Sequence, residues 1–382
     1  MHICFVVEGY PTPTDPFMPF VRELIAKMAV KGVKCSVIAP QSITRAKRHR
    51  LPVRPKFWRD RAADGVYIDV YQPHYFTLSG FAKRLSQNGM ARAANRAFKK
   101  LEKSPNFLYA HFWHMGVTAS KIKCGLPIFV ACGESKISVR SDYSEKETDA
   151  LLNRLAGVVY VGTKSYRESC AEKLQRENPY IIAPNGYDPA VFYKRDKAQC
   201  RKVLNLPQDA FIACFVGSFN HRKGSLRLSA ALDDVNSDGA DKKVSSVFLG
   251  SGTDAPRCGN ILFCGKCAHG DIPLYLGAAD MFVLPTLSEG CCNAIVEALA
   301  CGLPVISSNG LFNADIIDET CSLKIDTKDF SAISAAVRTL RDNDSLREKL
   351  SRGALKKAEA LRLDNRADKI IEFIRKEGGK TL

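Results

Sequence analysis

The sequence has no apolar run near the ~18–20 residues that cross a bilayer, so no transmembrane helix is expected among its 382 residues. No repeat of fixed period recurs and no low-complexity tract interrupts the chain, which excludes solenoids and long flexible linkers. The opening stretch MHICFVVEGYPTPTDPF lacks a charged leader, and its apolar block is too short for a secretion signal. It reads as a first strand. The fourteen cysteines are scattered. Cys4, Cys35, Cys214 and Cys264 fall in or beside strand-like apolar runs, where a free thiol packs as a small hydrophobe. A cytoplasmic address with reduced thiols is therefore expected. A dinucleotide oxidoreductase needs G-x-G-x-x-G after a strand, and GSGTDAPRCG (250–259) falls short of it.

Acid is scarce in one half of the chain. Residues 1–185 hold 29 of the 56 Lys and Arg but only 15 of the 40 Asp and Glu, so fourteen of the net sixteen positive charges lie there. Two stretches concentrate them: RAKRHRLPVRPKFWRDR (45–61), and Lys83–Lys103 with Lys83, Arg84, Arg92, Arg96, Lys99, Lys100 and Lys103. Such asymmetry suggests an anionic partner. No DNA or RNA motif accompanies it, so nucleic acid is not expected. An anionic membrane surface on the inner face of the membrane is the expected partner, with a solvated surface kept soluble by charge as the plainer reading.

At 382 residues the chain can fill two cores, because single cores stop growing near ~250–300 residues. Short apolar blocks alternate with segments of helical spacing. HICFVV (2–7) precedes a helix over 17–30, and VKCSVIA (33–39) completes a βαβ unit. VYIDVY (66–71), a basic helix over 81–103, PNFLYAH (105–111), a helix near 116–123, PIFVA (127–131), a helix near 145–155, GVVYV (157–161), a helix from Thr163 and YIIA (180–183) continue the series. A second series runs FIACFVG (211–217), SSVFLG (245–250), NILFCG (260–265), MFVLP (281–285), a helix over 293–301, a strand over 302–307 and a largely helical end over 329–376. Two alternating series predict an α/β protein of two doubly wound Rossmann-like domains facing a central cleft, the usual place for a small-molecule site. The boundary is expected at the turn-forming Pro184–Asn185–Gly186: residues 1–184, then 185–360, with a helix over 361–382 crossing back to the first domain.

Ligands of open parallel sheets bind outside the carboxyl ends of the strands, and two strings stand there. GSFNHRKG (217–224) follows a strand and opens a helix, placing Arg222 and Lys223 near backbone N–H groups, a combination suited to a diphosphate. PTLSEGCCNAIVEALACGLPVI (285–306) carries Glu289 before a helix and Glu297 within it. Gly290 admits close backbone approach, and Cys291, Cys292 and Asn293 offer N–H groups at the helix start. Glu297, on an apolar helix, needs a partner if buried; a ribose diol would be one, and an internal ion pair another. Cys258, Cys264, Cys267 and His269 invite a zinc reading, but Cys264 ends a strand and no metal is expected.

These strings together resemble the retaining glycosyltransferases of family 4 (glycosyl transferases group 1), which have the GT-B fold. SEGCCNAIVEALACGLPVI is similar to that family's E-x7-E signature, as are NGYDPAVF (185–192), the VGSF…RKG loop, VFLGSG (247–252) and 260–286 to the corresponding family segments. The likeness covers about residues 181–360. Residues 8–40 and SSNGLFNADIID (307–318) resemble members that build polysaccharides, including teichuronic-acid-type enzymes. The resemblance implies that Lys223, with Arg222 beside it, holds the donor diphosphate, Glu297 accepts from the nucleotide ribose and Glu289 contacts the transferred sugar. The N–H groups from Gly290 through Cys291 and Cys292 to Asn293 assist, backbone at Phe263 and Cys264 meets the base, and Gly9 faces the phosphates. It also implies no required cofactor or metal, only a nucleotide-diphosphate sugar, UDP-sugar favoured, as donor substrate. The acceptor is then a glycan or lipid-linked intermediate in cell-surface polysaccharide assembly.

Three departures from the family pattern stand out. Gly217–Ser218 replaces a Gly-Arg pair, with Arg222 the candidate to restore the charge. PTPTDPFMP replaces a glycine-rich turn. Cys132, Gly133 and Glu134 stand where many members have a His, which leaves His111, His114, Cys132 and Glu134 as acceptor-side candidates. A non-catalytic nucleotide-sugar-binding or anionic-membrane-binding GT-B protein is the alternative these departures imply.

Overall fold

The computed structural model describes residues 1–13, 15, 17–77 and 83–379. The chain divides into two compact units: unit 1 gathers Met1–Val161, Ser165–Ala183 and Ala367–Leu382, and unit 2 gathers Gly162–Lys164 and Pro184–Arg366.

Unit 1 contains β1 (His2–Val6), β2 (Lys34–Ile38), β3 (Gln41–Ser42), β4 (Phe57–Arg61), β5 (Tyr67–Tyr71), β6 (His74–Tyr75), β7 (Phe107–His111), β8 (Ile128–Cys132), β9 (Leu155–Tyr160) and β10 (Tyr180–Ile182). Eight of them form one sheet in the order β10-β9-β8-β7-β1-β2-β5-β4, and β3 pairs with β6 apart from it. Every residue of β1, β7 and β8 is buried. Strands covered on both faces have no polar side, so they read in sequence as unbroken apolar blocks.

β4 carries no such signal, since Phe57–Arg61 reads as part of a basic patch. It pairs antiparallel with β5. Its inward side chain, Asp60, is buried and accepts hydrogen bonds from the Tyr10 hydroxyl at 2.7 Å and Arg22 Nε at 2.6 Å. Both partners lie far off in the chain, so local periodicity cannot reveal the strand. The helix expected over 81–103 spans Lys83–Phe98; Phe81 and Ala82 lie outside the described residues. The helix expected near 116–123 covers Trp113–Ser120 instead. It starts early because the Glu134 carboxylate accepts from the Trp113 backbone N–H at 2.5 Å, satisfying one of the open donors at its start.

Unit 2 holds β11 (Phe211–Val216), β12 (Val244–Leu249), β13 (Ile261–Gly265), β14 (Met281–Leu284), β15 (Val305–Ser308) and β16 (Ser322–Ile325), all parallel, in the order β13-β12-β11-β14-β15-β16. Helices over Ser225–Asn236, Asn293–Ala300 and Phe330–Asp342 contribute Leu228, Ile295 and Val337 to one core with the sheet. Helices over Asp344–Ala360 and Leu363–Gly378 end the chain.

Both sheets reverse direction of growth at an interior pair of strands: β1 beside β7 in unit 1, and β11 beside β14 in unit 2. At such a switch point the loops leaving two adjacent strands diverge to opposite faces and open a crevice at their carboxyl ends.

Candidate functional site

In unit 2 the crevice is bordered by the loop after β11, residues 217–224, and the loop after β14, residues 285–292. Both basic side chains of the first loop meet the acid of the second. Arg222 Nη1 and Lys223 Nζ each lie 2.7 Å from Glu289 Oε1, and the Thr286 hydroxyl donates to the same oxygen at 2.8 Å. Glu289 is buried. Burial alone would raise its pKa, but Lys223 and Arg222 overcome that and hold it below the usual carboxylate range. Burial would likewise lower the Lys223 pKa, and the charges of Cys292 and Glu289 raise it above the ordinary ammonium value. The sign is consistent on both sides: the acid gains stability above its unfolded pKa and the base below its own, so the pair stays ionised across the neutral range.

The two loops are also sewn together through backbone. The Leu287 N–H donates to the Arg222 carbonyl at 2.9 Å, and Arg222 Nη1 donates to the Ser288 carbonyl at 2.6 Å. Arg227, in the first turn of the following helix, spans both loops: Nη1 donates to the His221 carbonyl at 2.8 Å and Nη2 to the Pro285 carbonyl at 2.7 Å. Gly224 precedes that helix at φ +81°, and a Cβ there would lie 2.6 Å from the Pro285 carbonyl oxygen. Only glycine fits such a left-handed, crowded position.

Gly290 is buried, and Cys292 is the N-cap of the helix over Asn293–Ala300 with no side-chain cap of its own. Asn185 Nδ2 donates to the Asn293 side-chain oxygen at 2.7 Å and to the Cys291 carbonyl at 3.2 Å, fixing the turn that leads into the helix. Glu297 is only half-buried, not enclosed by the core as expected. At the fifth position of the helix it keeps part of its surface in solvent. Gly217 lies under the aliphatic stem of Lys223, with room for contact at 3.5 Å, and Ser218 is exposed. Phe263 packs on Tyr275 with ring centroids 4.9 Å apart on edge strand β13, and Cys264 is exposed there. Among the described residues no group of three or more His, Cys, Asp or Glu is arranged to hold a metal ion.

In unit 1 the switch point carries Glu8 after β1 and His114 after β7. His114 Nε2 stands 3.6 Å from Glu8 Oε2, and both line a cavity of about 320 Å³ with Arg54, Lys83, Asp142 and Tyr143. Burial holds the His114 pKa below the ordinary imidazole value against the opposing charges of Glu8 and Asp142. Phe112, between the two histidines, adopts φ +81°, a costly conformation for a bulky residue that is enforced by its surroundings; its ring packs against His111 at 4.6 Å and His114 at 5.9 Å.

The other acceptor-side candidates do not reach this cavity. His111 is buried beneath Phe20 and Phe112. Cys132 is fully buried, with its thiol against Ser169 and its pKa driven upward by burial. Glu134 is engaged in capping the Trp113–Ser120 helix. Gly9 is buried where a Cβ would meet the Phe17 ring at 2.3 Å; its lack of a side chain makes room for that ring.

Residues 196–357, the body of unit 2, match the family described as Glycosyl transferases group 1. Unit 2 is thus the part of the chain that is similar to group 1 glycosyl transferases. The chain is 26% identical over 362 residues, 88% of each chain, to the Bacillus subtilis (strain 168) protein named putative teichuronic acid biosynthesis glycosyltransferase TuaC. It is 31% identical over 195 residues, 46% of this chain and 49% of the relative, to an Escherichia coli UDP-Gal:alpha-D-GlcNAc-diphosphoundecaprenol alpha-1,3-galactosyltransferase. Sucrose-phosphate synthase from Thermosynechococcus elongatus shares the fold, with a TM-score of 0.77, 17% identity and 98% of each chain covered. The chain is accordingly a glycosyltransferase of the hexosyltransferase type with the GT-B fold. In this glycosyltransferase the residues that sequence reasoning passed over are Thr286, Arg227, Asn185 and Glu8. Asn185 lay in a quoted family-like string, and Glu8 directly after a strand, so both had a positional signal. Thr286 had one too, directly after the strand over 281–285, but what it and Arg227 bond is set by the adjacency of β11 and β14.

Proposed function

We propose that the protein transfers a hexose from a nucleotide-diphosphate sugar, a UDP-sugar by preference, to a glycan or lipid-linked acceptor in cell-surface polysaccharide assembly, with retention at the anomeric carbon. The observation that carries this reading is the Arg222–Lys223–Glu289 cluster at the unit 2 switch point. Two cations, fixed by one carboxylate, are aimed where a leaving diphosphate gathers charge. Such preorganised charge lowers the barrier because nothing reorients as the anomeric bond breaks.

In this reading the diphosphate takes the place of Glu289 as partner of Lys223 and Arg222, and frees the carboxylate to accept from sugar hydroxyls. The backbone from Gly290 to Asn293 supports the sugar, and the half-buried Glu297 accepts from the ribose. The UDP preference and the lipid-linked diphosphate acceptor rest on the name of the Escherichia coli relative. The acceptor occupies the unit 1 cavity, where Glu8 orients a neutral His114 toward its hydroxyl. Front-face attack lets the leaving phosphate take the hydroxyl proton. The protein works in the cytoplasm on the inner membrane face, to which the basic stretches of unit 1 hold it.

The test is nucleotide release from UDP-, GDP- and ADP-sugars by the purified protein. Release from one donor is expected, with Lys223→Ala lowering kcat/KM by about 10²–10³, the loss typical of a deleted charge-stabilising donor. Turnover by Lys223→Ala equal to the parent would remove Lys223 from the diphosphate site.

A further inference from the structure

At the opposite edge of the unit 1 sheet from β10, a groove of about 680 Å³ opens beside β4 and the end of the Lys83–Phe98 helix, away from the β1–β7 switch point. Its walls carry Lys56, Arg96 and Lys100. None of these three makes an ion pair among the described residues, and all are exposed. The one acid lining the groove, Glu102, is already engaged by Arg59 at 3.2 Å. Three cations thus surround one hollow with no counter-charge left over.

Apart from His74, whose Nε2 meets the Arg54 carbonyl at 3.0 Å, the rest of the lining is aliphatic or aromatic. Phe57 packs on Tyr71 at 4.9 Å yet keeps 47% of its surface in water, and Phe76 keeps 69%, the most of any large apolar side chain among the described residues. A ligand that satisfies this lining is anionic at one point and greasy beside it. Free phosphate answers the cations but leaves both rings in water.

We infer that this groove seats the phosphate of an anionic membrane phospholipid between Lys56, Arg96 and Lys100, with Phe57 and Phe76 dipping into the adjoining glycerol and acyl region. The inference rests on the membrane-surface reading proposed above and gives it one specific place. Cations near an anionic bilayer act with a strength that falls off within a Debye length, whereas the aromatic contact persists in salt.

The experiment is co-sedimentation of the full chain with phosphatidylcholine vesicles, alone or with about one-third phosphatidylglycerol. Binding to the anionic vesicles is expected, and Lys56→Gln/Arg96→Gln/Lys100→Gln should weaken it about 100-fold. Phe76→Ala should weaken it several-fold, by a factor that survives at higher salt. A charge-matched control, Lys99→Gln/Lys103→Gln/Lys123→Gln, should weaken it far less. Equal loss in the control would make the attraction a diffuse property of the basic unit and overturn the groove. Full competition by millimolar inorganic phosphate would make the ligand a free anion and overturn the lipid assignment. Absence of any binding to anionic vesicles would sink the groove and the docking together, whereas nucleotide release, read on the same variants, reports separately on the transferase.

Discussion

Glu289 draws three donors onto one oxygen, and that convergence is what makes it reactive to a ligand. A buried carboxylate with two cations is costly to strip of either one, so its partners change only when another anion takes them over. The same residue-scale logic separates the acceptor-side candidates. His114 lines the unit 1 cavity beside Glu8, while Cys132 is sealed under Ser169. His114→Ala should therefore raise the acceptor KM or lower kcat about 10²-fold, the scale of a lost substrate-positioning contact. Cys132→Ala should leave both constants near the parent values and lower only the melting temperature. The reverse pattern would place the acceptor elsewhere. Measuring donor release without acceptor, alongside full transfer, distinguishes an acceptor defect from a donor defect.

At the scale of elements, helix starts and loop closures decide where the functional groups stand. The 217–224 loop can reach the β14 loop because Gly224 turns left-handed against Pro285. Gly224→Ala should separate the loops, with a cost above about 1 kcal/mol from the conformation alone and more from the clash, read as a lower melting temperature and a fall in donor turnover. The helix over Glu145–Leu152 begins with a capping box of Ser144 and Glu147, and Lys121 also holds Glu147, at 2.6 Å. Burial works against the Glu147 anion, but its bonds to Lys121 and Ser144 win and bring its pKa down from 4.5 to about 2. A depressed carboxylate stabilises above its unfolded pKa and loses that contribution as pH falls through the folded one. Glu147→Gln should thus cost about 1 kcal/mol at neutral pH. The gap in melting temperature between parent and variant should close as pH falls from about 4.5 toward 2; a gap constant with pH would contradict the assignment.

At the scale of the whole molecule, each unit has its own core and its own switch point, and ligands should report on them separately. A nucleoside diphosphate that binds unit 2 stabilises the folded state by mass action, by about 2.7 kcal/mol at a hundredfold excess over Kd. UDP should raise the unfolding temperature of the parent, and this shift should shrink in Lys223→Ala and persist in His114→Ala. Loss of the shift in both would mean that one site senses the other's side chains.

Much of this was legible in the sequence, for a physical reason. Strands buried on both faces must be apolar throughout, so β1, β7, β8, β11 and β14 announce themselves as short unbroken blocks. The same burial alternating with amphipathic helices implies two doubly wound sheets. Arg222, Lys223 and Glu289 were found because ligand groups of such sheets follow strand ends, a rule of local position. The charge asymmetry that points to an anionic partner is likewise a property of composition.

Only the tertiary structure decided what depends on which strands are neighbours. The pairing of Lys223 and Arg222 with Glu289, across more than sixty residues of chain, exists because β14 lies beside β11. The bracing by Arg227 and the hydroxyl of Thr286 follow from the same adjacency. Tertiary structure sealed Cys132 in the core, turned Glu134 into a helix cap and left Glu297 half-buried. It also made a strand of a basic patch, because Asp60 finds Tyr10 and Arg22 inside. A sequence fixes what each residue would gain from burial or from a counter-charge, but the fold alone determines which of them receives it.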